Sequence, residues 1–415
     1  MNMQFAVDGR KRPTVLLCAT MWWPLAARLA MAFLRHGCDV VAICPPGHPL
    51  RFVTGIERLY LYKGFDSVSS LKAAILKSNP DLIVPCDDGV VWQLHELHAK
   101  HPGLQPLIEK SIGSAEVFPI IRSRETFLHT ARALGVRVPI TQSVAAPSDL
   151  ARWYEDRDKA GVLKLDGTWG GTGVVIARSQ AEALSAFHRF SIPMSATLAW
   201  KRWLVNRDPL ALWSWRKRET PSVTIQQFIE GTPANTMFAC WQGEILAIVT
   251  VEVITSQGAT GAATVVRLVK NAEIESAAKL IARRLQLNGF HGLDFILDKQ
   301  SGAPYLIELN PRCTQLGHLP LPSQGDLAGY ISAKLQGEPQ QISEDSIQGD
   351  TVAFFPQTFT WNPKSEFLKH GYHDVPWEEP ALFKELLRDR WPDRQAPARV
   401  YHSVRAKRKE KEVRF

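Results

Sequence analysis

Between Val15 and Pro85 the chain alternates short apolar runs with amphipathic stretches, and no other feature constrains its fold as tightly. Residues 15–18, 40–44, 58–61 and 82–85 read as strands, and residues 24–36 and 67–78 as helices. Strand–helix–strand alternation implies a parallel sheet with helices on both faces. Gly37 is placed to close the first helix, since glycine adopts the left-handed turn that ends helices at little cost. The run 15–34 follows Arg10-Lys11-Arg12 and resembles a signal anchor, but Pro24 and Arg28 interrupt it. A buried strand entering a helix is the better reading. The six cysteines are scattered with no C-x-x-C pair, which argues against a disulfide frame or a zinc ribbon and for reduced thiols in the cytoplasm.

Residues 294–312, DFILDKQSGAPYLIELNPR, read as a strand, a turn at Ser301-Gly302 and a second strand. Glu308 and Asn310 lie two apart, so both side chains leave the same face of their strand. Asp294, Glu308 and Asn310 together form a hard, all-oxygen donor set suited to Mg²⁺ or Mn²⁺ rather than zinc. Arg312 follows with a fork of donors suited to phosphate or carboxylate. A structural Asp and an edge Glu on a plain hairpin would look the same.

Residues 162–174, VLKLDGTWGGTGV, carry Lys164 on a short strand, then a loop with four glycines, then another strand. Glycines let the backbone approach a ligand, and consecutive N–H groups can cradle phosphate oxygens. No Gly-Lys-Ser/Thr follows, and the loop joins two strands, so it is neither a Walker A loop nor a dinucleotide fingerprint.

In this order and spacing the two segments resemble the ATP-grasp superfamily, over roughly residues 12–336. Two further segments carry the resemblance: SRETFLHTARALGVRVP from Ser123, with Arg124, and QQFIEG, residues 226–231. The resemblance implies an α/β architecture. A Rossmann-like domain (1–121) precedes a lid region (122–224), then a core ATP-grasp domain (225–340), and residues 341–415 form a C-terminal extension with a charged tail. It implies that ATP is held by Arg124, Lys164, Gly170, Gly171 and Thr172, with adenine read by Gln227, Phe228, Ile229 and Glu230. It implies a metal on Asp294, Glu308 and Asn310, with Arg312 and Lys164 as the catalytic cations. The chain departs from the family pattern at Thr172, where the loop often carries a cation, and at Pro233, where many relatives carry a ribose-binding Glu; Glu230 is the candidate for that role. The expected activity is an ATP-dependent carboxylate–amine ligase acting on small molecules. A bicarbonate-activating enzyme and a nucleotide-binding scaffold are the competing readings. The first is weakened because no biotin-carrier or glutaminase segment is recognisable.

An insertion, residues 191–221, interleaves Trp200, Trp203, Trp213 and Trp215 with Lys and Arg. Tryptophans packing the insertion onto the lid is the leading reading, with peripheral membrane or lipid-substrate contact as the alternative. The net charge of +8 suits anionic small substrates and calls for no nucleic acid. His95, His98 and His101 read as an exposed polar helix face. Asp87 and Asp88 read as a helix cap, with a substrate amine as the alternative. Arg267 reads equally as an anion ligand or a solvent-facing strand residue.

Overall fold

The computed structural model describes residues 12–155, 160–167, 173–208, 210–217, 222–258, 261–322, 324–340 and 346–401. Strands β1 (Thr14–Cys18), β2 (Asp39–Cys44), β3 (Arg58–Leu61) and β4 (Leu82–Pro85) form a parallel sheet in the order β3-β2-β1-β4. Helices cover both faces, so successive residues of β1 are buried whichever way they point. Because β1 and β4 run in parallel, the loops after them, with Met21 and Trp23 in one and Asp87 and Asp88 in the other, emerge at the same edge. The apolar run 15–34 divides between β1 and the helix Leu25–Arg35. Among the described residues no helix is long and apolar enough to cross a membrane.

The lid sheet has the order β5-β8-β6-β7, from β5 (Thr141–Ser143), β6 (Gly161–Leu165), β7 (Val174–Ala177) and β8 (Val223–Gln227). Trp153 and Phe187 pack against Leu163 and Ile225 beneath it. β8 re-enters this sheet after the insertion, so residues 225–227 extend the lid rather than begin the core.

The core is a seven-stranded sheet in the order β13-β12-β9-β10-β11-β14-β15. Its strands are β9 (Gly231–Trp241), β10 (Glu244–Ser256), β11 (Ala263–Leu268), β12 (Gly289–Asp298), β13 (Pro304–Asn310), β14 (Thr351–Phe354) and β15 (Tyr372–Asp374). The helix Ala272–Arg284 lays Ile274, Ala278 and Ile281 on one face, against Phe238 and Leu293. At Gly231 a Cβ would stand 1.9 Å from the Leu297 carbonyl oxygen, so only glycine lets β9 start beside β12.

The segment after residue 340 is woven into this core in its described part, because β14 pairs with β11. At the end of β15, Asp374 accepts a hydrogen bond from Arg28 Nη2 at 2.7 Å and lies 2.8 Å from His318 Nε2, fully buried. Burial works against its charge, but Arg28 and His318 outweigh it and hold the carboxyl down to about 2. Glu379 accepts from Thr54 N and Oγ1, both at 2.9 Å. Asp374 and Glu379 thus dock the segment onto the N-terminal domain.

The insertion contributes two helices, Ala196–Asn206 and Leu210–Lys217. Its tryptophans meet the N-terminal domain rather than the lid. Trp200 and Trp203 lie 5.5 and 4.8 Å from the Phe65 ring, and Trp213 Nε1 donates to Glu96 at 3.3 Å. Lys217 pairs with the same Glu96 at 2.8 Å. The histidine face is also packed rather than exposed: His95 is buried and stacked on Phe118, and His98 lies 2.8 Å from Glu109. Burial lowers the His95 pKa to about 3. Arg267 faces solvent, 3.8 Å from Asp350, and takes no part in the cavity described next.

Candidate active site

Lid sheet, core sheet and the N-terminal loops surround one cavity of about 810 Å³. Its chemistry is set by a cross-strand row. Glu308 on β13 faces Asp294 on β12, and Asp294 faces Asn235 on β9. The register between β12 and β13 shifts beside Asp294, leaving Ile307 as an extra, bulged residue, and both Ile307 and Glu308 line the cavity. Asn310, two residues on, lies opposite Gly292 and lines it as well.

Three cations converge on this row. Arg124 opens the helix Arg124–Ala133, whose N-cap Ser123 accepts from Thr126 N at 3.2 Å. Its guanidinium donates to Glu308 Oε1 at 2.8 Å and to Asp166 Oδ1 at 2.5 Å. Lys164 on β6 is buried and lines the cavity. Burial lowers its pKa to about 8, and only part of that loss is recovered from Glu308. Arg312 Nε lies 3.1 Å from Asp88 Oδ2. Asp87, not Asp88, supplies the helix cap, accepting from Val90 N at 3.0 Å and from Thr20 N at 2.6 Å.

The two facing acids respond differently to burial. For Glu308, Arg124 and Lys164 outweigh the cost of burial and lower its pKa. For Asp294, burial and the neighbouring Glu308 charge prevail and raise it, although Asn235 Nδ2 donates to Oδ1 at 2.7 Å. A buried acid destabilised by its acidic neighbour is a place where a divalent cation fits, and every donor is oxygen. Among the described residues no group of three or more His, Cys, Asp or Glu forms a self-sufficient cage. An ion on Asp294, Glu308 and Asn310 would therefore complete its shell with water or phosphate oxygens, as Mg²⁺ commonly does.

Gln227, Phe228, Ile229 and Glu230 line the same cavity. Gln227 N–H donates to Ile140 O at 2.8 Å and Phe228 N–H to Ala160 O at 3.1 Å, leaving the Ile229 and Glu230 N–H groups unpartnered among the described residues. Glu230 is exposed, and its carboxylate pairs with Lys299 at 2.6 Å. Apolar walls beside this segment come from Val162, Val174, Ile176 and Ile296. Gly170, Gly171 and Thr172 lie outside the described residues. Sequence reasoning missed Asp166 and Asn235. Asp166 carried a readable signal, standing two residues after Lys164 and so on the same side of an extended chain. Asn235 carried none, because only the β9–β12 register brings it to Asp294.

Residues 211–315 match the model of the ATP-grasp domain. Among solved structures, the chain resembles N5-carboxyaminoimidazole synthetase from Staphylococcus aureus complexed with ADP, with TM-score 0.58 and 17% identity over 81% of this chain and 80% of that one. The N5-carboxyaminoimidazole ribonucleotide synthetase from Thermus thermophilus gives 0.56 and 16%, covering 79% of each. The biotin carboxylase domain dimer of 2-oxoglutarate carboxylase from Hydrogenobacter thermophilus, in complex with MgADP, ADP and bicarbonate, gives 0.56 and 13% over 81% and 72%. A search of curated protein sequences finds no match. Residues 211–315 thus carry the match to the ATP-grasp domain, within a fold that the chain shares with these synthetases and this carboxylase domain.

Proposed function

We propose that this protein is an ATP-dependent ligase that activates a small carboxylate as an acyl phosphate and passes the acyl group to an amine. The observation that carries it is the convergence of Arg124, Lys164 and Arg312 on the Glu308–Asp294–Asn310 row within one cavity. Three cations and an oxygen-donor set in one enclosed place match what phosphoryl transfer needs, which is charge neutralisation and alignment rather than covalent help. A carboxylate oxygen attacks the γ-phosphorus, the bond to the β-phosphate oxygen breaks, and ADP departs. An amine then attacks the acyl carbon, phosphate leaves with the bond electrons, and the amine proton passes to solvent.

Asp294, Glu308 and Asn310 would hold Mg²⁺ or Mn²⁺, which supplies charge neutralisation on the phosphate oxygens. Lys164 and Arg124 face the phosphates, with Arg124 oriented by Asp166. Ile229 N–H is a free backbone donor for adenine, with Val162 and Ile176 lining the same cavity. Arg312, oriented by Asp88, steadies the carboxylate being activated. Gly170, Gly171 and Thr172 complete the phosphate cover in this reading. The same geometry accommodates bicarbonate as the acid, a reading favoured by the bicarbonate-bound neighbour.

The test is acid-dependent ADP release with hydroxylamine as the amine, which converts an acyl phosphate into a hydroxamate. We expect hydroxamate in step with ADP, and its loss in Glu308→Ala. Acid-stimulated ADP release at the wild-type rate in Glu308→Ala would defeat the metal assignment. ADP release with bicarbonate alone would favour the second reading.

A further inference from the structure

Resting on that ligase reading, we propose that the acid this site activates carries a bulky apolar body, laid across the β10–β11–β14 side of the core sheet. The cross-strand row does not stop at Asn235. Its partner on β10 is Val251, two residues from Val253, which pairs with Val266 on β11. Val266 pairs with Val352 on β14, and Phe354 stands two residues further on. Val251, Val253, Val266 and Phe354 all line the cavity, so its floor changes from acid and amide to hydrocarbon within three strands. The buried Val251, Val266 and Phe354 form the floor, with the half-buried Val253 beside Val266 on the same sheet.

Other elements continue this lining. Met21, from the loop after β1, and Leu210, from the insertion, line the same cavity. Leu210 lies so close to Gly89 that a Cβ there would be 2.8 Å from Leu210 Cδ1. Most polar side chains on this side are already engaged by the protein. Gln315 accepts from Gln357 Nε2 at 3.1 Å and donates to Ala263 O at 3.4 Å. Thr255 and Thr264 hydroxyls meet at 2.6 Å, and Ser256 Oγ donates to Gly258 O at 2.7 Å. Among the described residues Gln257 is the lining polar side chain left without a partner here, and a second carboxylate would meet no cation on this side, whereas hydrocarbon would remove apolar wall from water. Arg312 stands at the polar end, where the carboxylate of such an acid meets the phosphates. Bicarbonate would leave the hydrocarbon wall uncovered.

The test measures hydroxamate formation with saturating ATP, Mg²⁺ and hydroxylamine. The acids are acetate, hexanoate, 3-phenylpropanoate, leucine, phenylalanine, glutarate and bicarbonate. We expect kcat/KM for the apolar-bodied acids to exceed that for acetate, glutarate and bicarbonate by about tenfold or more. Val253→Asn should erase most of that advantage with the KM for ATP unchanged, and Val253→Ile should keep it. Equal or better use of acetate, glutarate or bicarbonate overturns this inference and leaves the ligase reading standing. An advantage that survives Val253→Asn overturns the placement on β10. Failure of every acid to raise ADP release overturns the ligase reading and this inference together.

Discussion

Glu308 is held between Arg124 and Lys164, while Asp294, across the strand pair, faces it without a cation of its own. On the proposed reading this division has a use: one carboxylate is kept charged by the protein, and the other would be neutralised by the metal. Lys164→Met should therefore lower acid-dependent ADP release by about a hundredfold, the usual cost of removing one preorganised donor from developing charge. Steady-state kinetics check it, and a loss below tenfold would remove Lys164 from the phosphate site. A second residue-scale prediction concerns stability. Asp374 has its pKa depressed to about 2 from the ordinary 3.8, so its contribution is complete above the unfolded value and is lost as pH falls toward 2. Asp374→Asn leaves the Arg28 cation uncompensated and should cost about 3 kcal/mol at pH 7. Urea unfolding should show the gap to wild type closing as pH falls from 4 to 2; a constant gap would mean that packing rather than charge is lost. Residue-level chemistry was partly legible in the sequence: Asp294, Glu308, Asn310, Arg312, Lys164 and Arg124 meet around one cavity. Their orienting partners were less legible, because Asn235 reaches Asp294, and Asp88 reaches Arg312, only through tertiary register.

The local elements were easier to read than their neighbours. The N-terminal alternation predicts β3, β4 and the helix Ser67–Ser78 at their observed bounds, since each apolar run is flanked by turn residues. Gln242-Gly243 marks the β9–β10 turn, both residues having positive φ. The docking of the Trp-rich insertion was not legible, because Phe65 and Glu96 lie more than a hundred residues upstream of the tryptophans that meet them. Glu96 is its main ionic tie, meeting Trp213, Lys217 and its own helix neighbour Lys100. Glu96→Ala should speed limited trypsin cleavage within residues 196–217 by about tenfold, equivalent to about 1.4 kcal/mol of local stability. Unchanged cleavage would show that the aromatic contacts with Phe65 suffice.

At the scale of the molecule, the cavity is walled by the lid sheet, the core sheet, the insertion and the segments that follow β1 and β4, so an occupant would touch every domain. Saturating ATP with Mg²⁺ should raise the melting temperature, by an amount corresponding to about 2.7 kcal/mol when ligand is at a hundred times its Kd. EDTA should abolish most of the gain, and Mn²⁺ should restore it. Differential scanning fluorimetry checks this, and a full shift in EDTA would refute a metal-dependent grip. The segment after residue 340 lies beyond the span of the family resemblance, yet β14 pairs with β11 and extends the core sheet.

The Arg28–Asp374 ion pair has a consequence for biosynthesis. Its members are 346 residues apart in the chain. At translation rates of 5–20 residues per second, the guanidinium emerges from the ribosome roughly 20 to 70 s before its counter-ion. During that interval the nascent N-terminal domain carries a cation designed for a dry interior. Stalled chains in which Asp374 has not yet left the ribosome should thus be the ones that recruit chaperones, and release of that recruitment once Asp374 has cleared the exit tunnel is measurable by crosslinking.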